Sequence, residues 1–241
     1  MQLTAKGTWP GELTFRQGWS KAVARPWNET IADAQLRSIR GTTGFIQECV
    51  THLHALGVEG VTSPPLPDGV GMMWRSSGFT PYLSLDLFTR DLTKPSTAPT
   101  HIINRGDEDL WEQAVSLDSA AFDELWRLGP LGLKEARFAT PSSEFLTVTT
   151  SERRLAGFAI VGAGSAVAYL QRVAVLPKLR GYGYGRSLVQ ACMTWGRSRG
   201  SRTMMLNTQP DNHTATQLYE SEGFELMGGG LSVLRHTDRE T

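Results

Sequence analysis

The chain has 241 residues, of which 40% are hydrophobic and 20% charged, and this ordinary globular balance argues against bulk disorder. Lys plus Arg and Asp plus Glu both number 24, so no overall basic field indicates a nucleic-acid partner. Two cysteines cannot build a disulfide framework, and the first residues lack the apolar core of a secretory signal. No apolar stretch reaches the ~20 residues that span a bilayer. We therefore expect a soluble, cytoplasmic protein.

The N-terminal part of the chain carries few predicted elements. In chain order they are a helix at 43–56, an apolar strand at 58–61, a short helix ending near residue 78 and a strand at 82–88. Residues 91–99 contain two prolines among small polar residues, which is typical of a linker.

Strands and helices follow each other closely after this linker. The predicted order is a strand at 101–104, helices at 107–128 and 131–138, strands at 145–150, 155–161 and 166–175, a helix at 184–199, a strand at 203–207, a helix at 212–221 and strands at 224–227 and 231–235. A helix that joins two neighbouring strands favours a parallel pair with a right-handed crossover. We therefore expect strands 166–175 and 203–207 to be parallel.

The two parts of the chain share a few residues at a constant spacing. A shift of 145 places Pro65 on Pro210, Trp74 on Tyr219, Ser76 on Ser221, Gly78 on Gly223 and Phe79 on Phe224. These matches predict that the N-terminal part is a truncated internal repeat of the later part.

Net neutrality hides a local excess of positive charge. Residues 153–210 hold nine cations and no Asp or Glu, so all 24 acids lie elsewhere. Such a segment favours a polyanion at close range, although a solvated basic face explains it equally well.

A glycine-rich loop lies inside this segment, between a predicted strand and a predicted helix. It reads Arg180-Gly181-Tyr182-Gly183-Tyr184-Gly185-Arg186. Glycines let backbone N–H groups crowd around an anion, and the helix that follows adds the positive end of its dipole. The spacing fits neither the P-loop nor the dinucleotide fingerprint, because no Gly-Lys-Ser/Thr closes the loop and no acid occurs before Asp211.

This loop resembles the Q/R-x-x-G-x-G/A signature of the GNAT superfamily of N-acetyltransferases. Gln171 to Pro177 is similar to the family's fourth strand, and the stretches 207–212 and 218–224 are similar to its fifth strand and the helix after it. The resemblance runs from about Thr100 to the C-terminus. It implies an α/β (α+β) GNAT fold, with a mixed, mostly antiparallel sheet, a splayed parallel pair formed by the fourth and fifth strands, and flanking helices.

The resemblance also implies a division into a degenerate partial GNAT-like domain at 1–97 and a complete acetyltransferase domain at 98–241, as in tandem members of the superfamily. The N-terminal segment lacks the glycine signature, since Arg37-Ser38-Ile39-Arg40-Gly41-Thr42 stands in its place. We therefore expect the N-terminal domain to bind no cofactor.

In this family the ligand is acetyl-CoA, and its diphosphate and 3′-phosphate match the acid-free segment. The resemblance implies that the thioester arm lies between the splayed strands, and that Asn212 and Tyr219 contact the coenzyme. The implied binding residues are Val173, Ala174, Val175, Arg180, Gly181, Tyr182, Gly183, Tyr184, Gly185, Arg186, Asn212 and Tyr219. Strand packing for the valines and an N-cap for Asn212 are the alternatives left open.

Tyr219 matches the tyrosine that acts as general acid beside the coenzyme sulfur, with helix packing as its alternative. The general base departs from the family pattern, because Tyr169 and Asn207 stand where two branches carry a glutamate. Neither side chain is a good base near neutral pH. A water relay from Tyr169 or a carboxylate from Asp211, Glu144 or Glu135 stays open, and no spacing suggests a metal site.

We therefore expect an acetyl-CoA-dependent N-acetyltransferase in which a primary amine of a small molecule, or of a peptide or protein N-terminus, attacks the thioester directly. A non-catalytic acyl-CoA-binding or sensor protein is the alternative, and an RNA-associated module a third. The acceptor is not encoded in any motif, and a homodimer is compatible with the sequence.

Overall fold

The computed structural model describes residues 1–238, apart from the side chains of residues 38 and 39. The chain forms two compact units. Unit 1 consists of residues 1–86 together with the chain from Gly228 onward, and unit 2 consists of residues 87–227. The predicted boundaries at 1–97 and 98–241 stay a prediction, and residues 239–241 of the second predicted domain lie outside the described part.

Unit 1 is built mainly from antiparallel strands. Its elements are β1 Thr4–Lys6, β2 Leu13–Gln17, β3 Ser20–Pro26, β4 Asp33–Arg40, α1 Thr43–Ala55, β5 Gly60–Thr62, β6 Leu66–Pro67, α2 Met72–Ser76 and the first part of β7 Thr80–Asp91. Strands β1 to β4 pair antiparallel in sequence order, and β4 then pairs parallel with β5. The two helices and β5 lie close to their predicted positions, whereas β1 to β4 were not predicted.

Unit 2 carries the second run of elements. They are β8 Ile103–Arg105, α3 Trp111–Ala121, α4 Pro130–Phe138, β9 Ser142–Thr149, β10 Leu155–Ala163, β11 Val167–Val175, α5 Tyr184–Ser198, β12 Thr203–Thr208, α6 His213–Ser221 and the start of β13 Glu225–Thr237. Strands β8 to β11 form an antiparallel series, and β11 pairs parallel with β12. The predicted mixed, mostly antiparallel sheet with one parallel pair and flanking helices is confirmed.

Strand β10 is the centre of the unit 2 core, and all nine of its residues are buried. Its side chains alternate between the two faces of the sheet, as the pleat requires. On one face Ala159 and Val161 pack with Leu188 and Met193 of α5, and on the other face Phe158 belongs to a cluster with residues of α3 and α4. Helices therefore cover both faces of the sheet at β10 and its neighbour β11.

Helix α3 is shorter than the predicted helix at 107–128. It ends at Ala121 because Phe122 adopts extended backbone angles (φ −122°, ψ 151°). The buried Asp118 carboxylate accepts a hydrogen bond from the Leu128 N–H at 2.7 Å, which folds the following segment back onto the helix. The apolar side chains beyond residue 121 continue the amphipathic pattern without continuing the helix.

Two predicted strand boundaries are also wrong. The strand expected at 101–104 begins only at Ile103, because the His101 N–H donates to Ser187 Oγ of α5 at 3.2 Å instead of to a strand. The two strands expected at 224–227 and 231–235 are one continuous strand, β13. The glycines between them do not form a turn, although Gly229 has a positive φ of 112°.

The two units share the order strand, helix, strand, helix, which supports the predicted internal repeat. In unit 1 this order is β4, α1, β5, α2, and in unit 2 it is β11, α5, β12, α6. Trp74 packs edge-on against Phe79 with 4.9 Å between ring centroids, and Tyr219 packs edge-on against Phe224 with 5.8 Å. Across residues 1–238, no helix is long and apolar enough to cross a membrane.

Candidate active site

The parallel strands β11 and β12 separate along their length. Their register joins Val167 to Thr203, Ala168 to Met204 and Tyr169 to Met205. Both strands continue for several residues, yet within the described chain no further pair links them. The last part of β11 therefore has one edge on β10 and a second edge that opens into a cleft.

The backbone N–H and C=O groups of every second residue of β11 face this cleft. The Leu176 N–H donates to the Ala156 carbonyl of the β10 side at 2.9 Å. In an antiparallel pair every second residue bonds the same neighbour, so the peptide groups of Ala174 also face β10. The N–H and C=O groups of Val173 and Val175 point the other way, toward the open edge. Val173 and Val175 are among the residues predicted to contact a ligand, and that contact stays a prediction.

The glycine loop lies between β11 and α5 and presents a series of backbone donors. Gly181 and Gly183 have φ angles of +84° and +82°, which side-chain-bearing residues rarely adopt. Among residues 1–238, the N–H groups of the six residues from Gly181 to Arg186 donate to no acceptor. Six free adjacent amides at the positive end of a 15-residue helix make a site that attracts an anion.

The two arginines of the loop have partners of their own. Arg186 donates to the buried Glu222 carboxylate at 3.1 Å and to Ser221 Oγ at 3.2 Å, both from the end of α6. Arg180 donates to the Ala121 carbonyl at 2.6 Å. Glu222 thus pairs the charge of Arg186, whereas Arg180 bonds a neutral carbonyl and keeps its positive charge beside the loop. Although residues 153–210 contain no Asp or Glu, the Glu222 carboxylate therefore lies next to this segment in the structure. The roles predicted for both guanidinium groups stay predictions.

A buried ion pair that was not predicted lies beside the cleft. Arg172 of β11 donates to both carboxylate oxygens of Asp118 at 2.7 and 2.8 Å, donates to the Trp126 carbonyl and lies 3.5 Å from the Phe122 ring centroid. Asp118 is the only charged residue on the buried face of α3, which is the signal that could have predicted a partner. The pair fixes α3 against the strand that borders the cleft.

Tyr219 lies on α6 and is buried against the rings of Phe88 and Phe224. Its hydroxyl donates to no acceptor in the described part of the chain. Burial raises the pKa of Tyr219 to about 12, although the charge of Arg172 acts in the opposite direction. The phenol therefore keeps its proton throughout the neutral range, as a proton donor must.

This pKa predicts a specific alkaline sensitivity. The pKa of Tyr219 lies above the usual value of 10, so its stabilising contribution is present below pH 10 and is lost as the pH rises toward 12. We expect the free energy of unfolding to fall more steeply over this range in the wild type than in Tyr219→Phe. Denaturant titrations at stepped pH measure it, and two parallel curves would contradict the assignment.

Tyr169 and Asn212 occupy two other predicted positions. Tyr169 is the last paired residue of β11 before the cleft opens, and 38% of its surface is exposed. Asn212 caps α6, because its Oδ1 accepts the Ala215 N–H at 3.2 Å. Helix α6 consequently begins at His213, one residue later than predicted. Capping is thus an observed role of Asn212, and its contact with a ligand stays a prediction.

The three carboxylates that remain as candidates for the general base lie on different elements. Glu144 lies on β9 and is held by Arg105 at 3.3 Å and Arg137 at 3.9 Å, so its charge is already paired. Asp211 lies in the turn before α6, and Glu135 lies on α4. Within residues 1–238, no three potential metal-binding side chains converge on one point.

Comparisons with known proteins find a curated relative over part of the chain. The Aminoglycoside N(6')-acetyltransferase type 1 of Salmonella typhimurium is 34% identical over 61 residues, which make up 25% of this chain and 42% of that protein. The chain thus spans less than half the length of this curated relative.

Two solved structures resemble the fold over most of the chain. A GCN5-related N-acetyltransferase from Sphaerobacter thermophilus has a TM-score of 0.63 at 16% identity, covering 95% of this chain and 81% of that one. A tandem GNAT protein from the clavulanic acid biosynthesis pathway has a TM-score of 0.62 at 15% identity, with coverages of 94% and 82%. These likenesses establish the fold.

The family model of the Acetyltransferase (GNAT) family matches residues 111–224, from the start of α3 to the residue before β13. This range contains the open edge of β11, the glycine loop and Tyr219. Residues 111–224 therefore match the model of a GNAT acetyltransferase domain, in agreement with the resemblance of the glycine signature.

Proposed function

We propose that the protein is an acetyl-CoA-dependent N-acetyltransferase that acts on a primary amine. The row of six free amides from Gly181 to Arg186, next to the open edge of β11, carries this proposal. Coenzyme A consists of a diphosphate joined to an arm that contains two amides, so its chemistry fits an anion site followed by an unpaired strand edge. When bound, acetyl-CoA supplies an acetyl group activated as a thioester.

The residues of the chain would share the work as follows. The loop amides bind the diphosphate, and the outward peptide groups of Val173 and Val175 bind the amides of the arm and align the thioester. An N–H group of this edge also polarises the acetyl carbonyl, in the manner of an oxyanion hole. Holding both reactants in place supplies a large part of the rate enhancement.

Tyr219 would supply the proton that the departing thiolate needs, since its phenol is protonated at neutral pH. Its place on α6 beside β11 supports this role more than its raised pKa, which makes the phenol a weaker acid. Tyr169 would order a water that relays a proton from the attacking ammonium group to bulk solvent. Its position where the strands separate, with 38% of its surface exposed, supports this role.

An amine acceptor is supported by the relative from Salmonella typhimurium, whose name states that it acetylates an aminoglycoside nitrogen. Small-molecule amines therefore come first among the acceptors, before peptide and protein N-termini. We further propose a tandem arrangement, with a degenerate domain at 1–97, a complete one at 98–241 and a cytoplasmic location.

A binding assay and an activity assay test the proposal together. We expect calorimetry to detect coenzyme A binding, and a thiol-release assay with a panel of small primary amines to detect acetyl-CoA consumption. Binding without consumption would favour the non-catalytic acyl-CoA sensor, which the replacement of both family glutamates by Tyr169 and Asn207 already makes the second candidate. Absence of binding would overturn both functions.

A further inference from the structure

One histidine that the function does not use lies directly against the glycine loop. His101, in the segment before β8, has its Nε2 atom 2.8 Å from the Tyr182 carbonyl oxygen. Its ring stacks on Tyr184, with 4.2 Å between centroids and 28° between planes. Its own N–H donates to the fully buried Ser187 Oγ at 3.2 Å, so the backbone that carries the ring is anchored to α5.

The hydrogen bond to Tyr182 has a defined direction. A carbonyl oxygen only accepts, so His101 Nε2 carries a proton and donates it. In a planar trans peptide the C=O and the next N–H point in opposite directions. Fixing the Tyr182 carbonyl toward His101 therefore fixes the Gly183 N–H on the other side, among the free amides of the loop.

This peptide needs an external restraint. Gly181 and Gly183, on either side of Tyr182, both have positive φ angles, and glycine has the widest choice of backbone conformations. The Gly183 N–H has no acceptor of its own within residues 1–238 that would hold its peptide in place. Among the described residues, the contact with His101 is the one that holds the Tyr182 carbonyl.

We propose that His101 is a positioning residue, which locks the Tyr182–Gly183 peptide so that the Gly183 N–H faces the diphosphate of coenzyme A. This inference rests on the proposed function. His101 does not contact the ligand. It raises the affinity for the diphosphate because it holds the loop in the binding conformation before the ligand arrives.

Two substitutions separate the hydrogen bond from the ring stack. His101→Phe keeps a flat ring against Tyr184 and removes the donor, whereas His101→Gln removes the ring and keeps an N–H donor at a similar reach. By calorimetry we expect the Kd for coenzyme A to rise about tenfold in His101→Phe and to stay within about threefold of wild type in His101→Gln. Dephospho-coenzyme A, which retains the diphosphate, is expected to show the same two factors.

A readout without ligand keeps the proposal separate from the function. We expect ¹⁵N relaxation to show lower order parameters for the Gly181 and Gly183 amides in His101→Phe than in wild type or His101→Gln, at unchanged thermal stability. Failure of the wild type to bind coenzyme A would overturn the proposed function. Wild-type binding that His101→Phe leaves unaltered, or equal losses in both variants, would overturn the positioning role alone.

Discussion

Tyr219→Phe is expected to lower kcat about 100-fold while changing the Kd for acetyl-CoA less than twofold, because a positioned general acid contributes about 10²–10⁴ to a rate. Phenylalanine fills the same space against Phe88 and Phe224 and removes only the hydroxyl. The loss should therefore fall on the step in which the thiolate leaves. The measurement is thiol release at saturating acetyl-CoA, beside calorimetric binding of the coenzyme.

Tyr82→Phe is the matched control, since it removes a phenol hydroxyl from β7 in unit 1, far along the chain from the loop. It should leave both quantities at the wild-type level. If Tyr219→Phe weakens binding and turnover by equal factors, the hydroxyl acts in binding alone. If it changes neither, Tyr219 is a packing residue, as its aromatic neighbours would also allow.

The glycine loop could be predicted from the sequence because everything that defines it is local. Three glycines with intervening tyrosines precede an amphipathic helix, and both backbone conformation and free amides follow from those few residues. The order of strands and helices in unit 2 was predictable for the same reason, since hydrophobic periodicity is read within one element.

The surroundings of the site could not be predicted in this way. Arg186 bonds Glu222, 36 residues later, and Arg172 bonds Asp118, 54 residues earlier. A charge pattern along the chain does not encode which oppositely charged residue folding brings nearby. The position at which α3 ends could not be predicted for the same reason. The Asp118 carboxylate accepts the Leu128 N–H, and the fold positions that carboxylate.

The strands of unit 1 were missed although the sequence carries their pattern. Leu13 and Phe15 on β2, and Ala22 and Ala24 on β3, are buried at every second position, which is the alternation of a half-buried strand. The two strands are short and rich in charged or polar residues, so the alternation covers only two buried positions in each. Their pairing in register, which stabilises them, is a tertiary property.

Gly181→Asp is expected to weaken coenzyme A binding about 30- to 100-fold relative to Gly181→Asn. Asn and Asp enter the left-handed backbone region more readily than other side-chain-bearing residues, and a Cβ at Gly181 meets no other atom within 4 Å, so the two variants share a similar backbone cost. They differ by one negative charge. A carboxylate about 6 Å from a doubly charged diphosphate costs about 2–3 kcal/mol at an effective dielectric constant between those of protein and water.

The salt dependence of the two Kd values tests whether the loop binds the diphosphate. Because the repulsion acts between exposed charges, the ratio of the two Kd values should shrink markedly between 0.05 M and about 1 M salt, as the screening length falls to about 3 Å. Equal affinities of the two variants at low salt would place the diphosphate away from these amides. A large ratio that salt leaves unchanged would point to a conformational difference, and circular dichroism of the two free proteins would then reveal it.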